Sequence, residues 1–114
     1  MRFKKNNFYI RTLYGIEEVS GYTFEYNGID FGVRKENDYF WSVTHIDSGL
    51  CATKNRNSII KTRKEAVKEI KKDIDEICAI IKDDKVRDMI DEFQELKSII
   101  EKEIKKNSLT NIEA

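Results

Sequence analysis

Between Thr62 and Ile81 the chain reads TRKEAVKEIKKDIDEICAII, and no other stretch leaves its backbone fewer options. Thr62 stands three residues ahead of Glu65, the spacing at which a hydroxyl and a carboxylate satisfy each other's unpaired N–H groups at a helix start. Behind that cap, Val67, Ile70, Ile74, Ile77 and Ile81 recur at spacings of 3, 4, 3 and 4, one apolar stripe along roughly five turns of helix. A stripe that regular has to be covered. The rest of the chain supplies a small sheet before it and a second helix after it. The fold expected is α+β: a three- to four-stranded antiparallel sheet packed on two long antiparallel C-terminal helices.

A chain of 114 residues has room for one domain and one modest core. Its expected parts are a sheet half over 1–56, a helical hairpin over 62–106 and a frayed tail over 107–114. The longest apolar runs are a few residues, far below the ~20 of a membrane helix. The basic start, MRFKKNNFYIRT, lacks the apolar core of a signal peptide, which points to the cytoplasm of a bacterial cell. Cys51 and Cys78 form no CxxC pair, and in a reducing compartment they read as two free, mostly buried thiols. Proline is absent while Lys, Ile, Asn and Glu abound, a composition typical of AT-rich coding, as in low-GC bacteria and their phages.

In chain order, FYIRTL (8–13) suggests a first strand with Phe8 and Ile10 on one side, and 14–21 reads as a turn or distorted edge. YTFEY, Asn27-Gly28 and IDFGV form a hairpin signal, because Asn and Gly accept the positive φ of a type I′ turn. That turn predicts Tyr26 opposite Ile29, Phe24 opposite Phe31 and Tyr22 opposite Val33, all on the core face. YFWSVTHI and LCATK follow around Asp47-Ser48-Gly49, and a three-residue turn pairs Ile46 with Leu50 and His45 with Cys51. This strand is partly apolar on both sides, as expected of one with a helix on one face and the first strand's aromatics on the other. KNRNSIIK (54–61) is a basic connector whose Ile59-Ile60 pair anchors the helix start. The second helix begins at Asp83 or Asp84 as cap, carries Val86, Ile90, Phe93, Leu96 or Lys97, Ile100 and Ile104, and ends near Lys106.

Little here suggests covalent chemistry. His45, the single histidine, would need further ligands for a metal or a partner nucleophile, and only Cys51 is near it in sequence. Glu17-Glu18, Asp83-Asp84 and Asp91-Glu92 are adjacent pairs rather than separated acid–base groups. No phosphate loop or GxSxG occurs, so neither an enzyme nor a cofactor is expected.

Charge is more informative. Basic and acidic residues balance at 21 each, yet residues 61–72 hold six cations against two acids and residues 73–95 hold nine acids against three cations. Positive charge at a helix start opposes the dipole, a cost of some tenths of a kcal/mol per residue. Two candidate surfaces follow. Asp83, Asp84, Asp88, Asp91 and Glu92 form an acidic tip suited to a basic protein surface. Lys54, Arg56, Lys61, Arg63 and Lys64 form a basic end suited to phosphates.

Trp41-Ser42-Val43-Thr44-His45 with Ser48-Gly49, then Lys61-Thr62-Arg63-Lys64-Glu65-Ala66, give the pattern W-x-V-T-H-x-x-S-G followed by K-T-x-x-E-A. Over roughly residues 22–80 it resembles short proteins of phages and integrated elements of Gram-positive bacteria, which implies a three-stranded sheet followed by a packed helix. One branch of that neighbourhood resembles the DNA-binding arm domains of phage integrases. The other comprises small inhibitors of host defence, anti-CRISPR proteins among them, which bind a nuclease. The long acidic helix, with Glu25 and Asp30 on the hairpin, departs from the first branch. The resemblance therefore implies a non-enzymatic inhibitor of a host nucleic-acid-handling complex, with a nuclease as protein partner. The alternatives are a nucleic-acid-binding module using the basic end, and a homodimer through a second apolar face at Phe93, Ile99 and Ile100.

Overall fold

The structure, a computed structural model, describes residues 2–37, 40–52 and 61–113. Five strands, β1 (Lys4–Thr12), β2 (Gly15–Tyr26), β3 (Ile29–Asn37), β4 (Phe40–His45) and β5 (Leu50–Cys51), precede two helices, α1 (Arg63–Ile81) and α2 (Asp84–Glu113). The strands form one antiparallel sheet in the order β1-β2-β3-β4-β5. The fold is the α+β arrangement expected, with more strands than the three or four foreseen. The extra length comes from 14–21, where Gly15 and Gly21 bracket the short IEEVS and suggest a turn or a distorted edge. Pairing with β1 from Arg11↔Ile16 to Lys4↔Thr23 makes it regular strand.

At the central hairpin Asn27 (φ 55°) and Gly28 (φ 77°) adopt the left-handed turn. The register then runs Tyr26↔Ile29, Phe24↔Phe31 and Tyr22↔Val33, as expected. Phe24, Phe31, Val33 and Val43 are buried against Ala66, Val67, Ile70 and Ile77 of α1. Thr62 caps α1 by accepting from the Glu65 N–H (3.1 Å), while Glu65 reaches back to the Lys61 N–H (2.9 Å). The opposite face of the sheet carries Phe8, whose ring lies across Gly32: a Cβ there would stand 2.7 Å from three of its ring atoms. That face also buries Ile10, Ser42 and Thr44.

The sheet curls until β1 meets the turn before β5, where the Arg11 N–H donates to the Gly49 carbonyl (3.0 Å). Here α2 docks. Phe93 is fully buried beneath Gly49, close enough that a Cβ on Gly49 would strike its ring. The Arg11 guanidinium lies 5.2 Å from the Phe93 ring centre and donates to the carbonyls of Ser48 (2.7 Å) and Met89 (2.5 Å). Gln94 adds a bond to the Asp47 carbonyl (2.9 Å). Each helix thus has its own seat on the sheet, α1 over β3 and β4 and α2 at the β1–β5 seam. The backbone of α2 continues as helix to Glu113, past the expected end at Lys106.

One register differs from expectation. His45 pairs with Leu50, and Thr44 with Cys51, so four residues rather than three make the turn. A one-residue shift moves every side chain to the other face, and Cys51 leaves the face of His45. Ser48 explains the longer turn: its hydroxyl, 2.7 Å from His45 Nδ1, also accepts from the Leu50 N–H (3.2 Å). Cys51 is exposed rather than buried, and Cys78 is half-buried.

Candidate nucleic-acid interface

The basic candidates separate once placed. Lys54 and Arg56 lie outside the described residues, as does Ile59-Ile60. Lys61 is exposed just before the cap. Arg63, the first residue of α1, lies between two rings: its guanidinium carbon is 4.5 Å from the centre of Phe3 and 4.2 Å from that of Tyr22. Phe3 is held in turn by an edge-on contact with the buried Phe24 (5.4 Å). Each cation–π contact contributes about 0.5–1 kcal/mol at a partly exposed site. Together the two rings hold the group in place. Its N–H donors meet no acceptor and no carboxylate among the described residues.

Beside it a groove of about 480 Å³ is lined by Phe3, Arg63, Lys64, Val67, Lys68 and Lys71. At about 100° per residue, Lys64, Lys68 and Lys71 fall within an arc of about 60° on one flank of α1, next to Val67. Glu65, Glu69 and Asp73 fall on the other flank. Over its first turns charge on α1 is therefore sorted around the helix, until Asp75 interrupts the cationic flank one turn beyond Lys71. No acid lines this groove, and four of its six lining residues are cations. Lys5, opposite Tyr22 in register, adds a further cation to the same face of the sheet.

Sequence reasoning found Arg63 and Lys64 and missed the rings. Phe3 and Tyr22 carry no local signal, because their role comes from meeting a residue at least 40 positions away. Lys68 and Lys71 were visible: with Lys64 they follow i, i+4, i+7 spacing.

The acidic candidates lie elsewhere. Asp83 caps α2 by accepting from the Lys85 N–H (2.9 Å). Asp84, Asp88, Asp91 and Glu92 are exposed, as is Glu95. These five on α2 fall within an arc of about 100° opposite Phe93, and none has a cation within 4 Å among the described residues.

His45 and Ser48 are buried together, and burial lowers the imidazole pKa below its ordinary 6.5, with Asp47 and then Asp30 opposing the shift. A small apolar cavity of about 110 Å³ lies beside them, walled by Ile77, Ile80, Ile81 and Val86. What the pair does in the fold is plain: it closes the β4–β5 turn. Among the described residues no three His, Cys, Asp or Glu side chains converge as a metal site, and no helix is long and apolar enough to cross a membrane. No family model matches the chain, and neither a curated protein nor a solved structure matches it.

Proposed function

We propose that the protein is a non-enzymatic nucleic-acid-binding module acting in a bacterial cytoplasm, with the Arg63 groove as its contact surface. One observation carries the reading: a guanidinium held between Phe3 and Tyr22 with its donors unspent among the described residues. Such a group is preorganised for the paired oxygens of a phosphate, and it loses little side-chain freedom on binding one. Lys64, Lys68 and Lys71 extend the positive charge along the groove, as a chain of phosphates requires. The test is fluorescence anisotropy of a labelled oligonucleotide across a salt series. With four cations engaged, log K falls against log salt with a slope of about −3 for a single strand. Arg63→Ala, or Lys64, Lys68 and Lys71 all changed to Glu, flattens that slope. Absence of any binding at ~50 mM salt rules the reading out.

A second reading is favoured by the acidic stripe: a phage or mobile-element inhibitor of a host nucleic-acid-handling complex, of the anti-CRISPR kind. Five carboxylates spread from Asp84 to Glu95 give one charge per roughly 4 Å, against ~3.4 Å per phosphate along one strand of a duplex. A stripe facing water opposite the buried side is also what any amphipathic helix shows, so the groove ranks first. Charge reversal at Asp83, Asp84, Asp88, Asp91 and Glu92 separates the two. Unchanged inhibition of a target nuclease by that variant excludes the stripe.

A further inference from the structure

Phe3 and Arg63, which line the groove, also begin a row of planar groups. Phe3 is followed by the Arg63 guanidinium, then Tyr22, then Trp41, whose ring centre lies 6.4 Å from that of Tyr22 at an interplanar angle of 36°. Among the described residues Trp41 ends the row, half-buried on the core cluster, with Lys35 opposite it in register. Resting on the nucleic-acid reading above, we infer that the ligand is a single strand. One base stacks at the Tyr22–Trp41 end, and successive phosphates follow Arg63, Lys64, Lys68 and Lys71.

Two features select a single strand. In a duplex the base faces are covered by their neighbours, so ring surfaces beside a cationic track serve only unpaired bases. The track itself is narrow. It runs about 10 Å along α1, with the Glu65 and Glu69 flank on one side. A second strand laid over these carboxylates meets repulsion, whereas a lone backbone stays on the lysines.

Trp41 is the single tryptophan of the chain, so intrinsic fluorescence reports on this position directly. The experiment titrates the full chain with an unlabelled oligothymidine and with a hairpin duplex of equal length at ~50 mM salt, following fluorescence and anisotropy together. The expected result is quenching that saturates with anisotropy and at least about tenfold tighter binding of the single strand. Trp41→Ala should weaken binding roughly 5- to 100-fold, the loss of one stacked base, while Trp41→Phe keeps most of the affinity. If circular dichroism shows Trp41→Ala unfolded, the Phe variant and the quenching decide. Equal or tighter duplex binding, or saturation without quenching, overturns the single-strand assignment while leaving nucleic-acid binding intact. No salt-dependent binding of either ligand overturns both.

Discussion

Replacing Phe93 with alanine is expected to release α2 from the sheet. Phe93 is fully buried, and Gly49 above it has no side chain that can move into the space. The turn is pinned by the Arg11 N–H on the Gly49 carbonyl, so the site collapses poorly. Truncating a buried phenylalanine costs about 3–5 kcal/mol, and poor collapse places the value in the upper half. Loss of the Arg11–Phe93 contact adds about 0.5–1 kcal/mol. A total near 5 kcal/mol corresponds to a fall of about 20 °C in Tm at this chain length. Among the described residues the polar anchors of α2 that remain are the Arg11 and Gln94 bonds to backbone and the Lys97 ammonium 5.8 Å from the Tyr9 ring. Undocking should therefore precede global unfolding. Native-state hydrogen exchange should show protection falling first in α2 while the β2–β3 hairpin stays closed. Urea denaturation gives the total. A loss below about 1 kcal/mol, or exchange rising uniformly through sheet and helix, refutes the reasoning.

Three further outcomes follow. Gly32→Ala drives a methyl group into the Phe8 ring and should cost about 1–3 kcal/mol by urea melt, largely recovered if Phe8 is changed to Leu in the same chain. Thr62→Ala removes the cap of α1 and should cost about 1 kcal/mol, read as a lower Tm with the helical signal frayed at that end. His45 is held below 6.5 by burial, so the unfolded chain binds its proton more readily than the folded one. Stability from this group is complete above pH 6.5 and lost as pH falls through the folded value; urea melts between about pH 7.5 and 5.5 should show the decline, and His45→Gln should flatten it.

How far each element could be read from sequence depended on the range of the interaction that shapes it. The helix from Thr62 and the Asn27-Gly28 hairpin are built from contacts within a few residues, and both stand where their spacing placed them. The second helix was legible as a helix, but its seat was not, since Leu96 and Ile104 look equally apolar in the chain and remain exposed in the fold. The acidic residues were found because adjacency in sequence is adjacency on α2. The groove was found by half: two of its four cations, and neither of the rings that hold Arg63.

Sequence alone determined the class of fold, the cap and stripe of α1 and the core face of the central hairpin, because periodicity and positive φ act locally. Tertiary structure decided the rest. Whether Cys51 sits beside His45 turned on one hydroxyl, that of Ser48, lengthening a turn by one residue. Whether Arg63 is merely a surface cation or a held guanidinium turned on Phe3 and Tyr22 arriving from two other elements. Such meetings depend on how the whole sheet curls, and no local pattern encodes them.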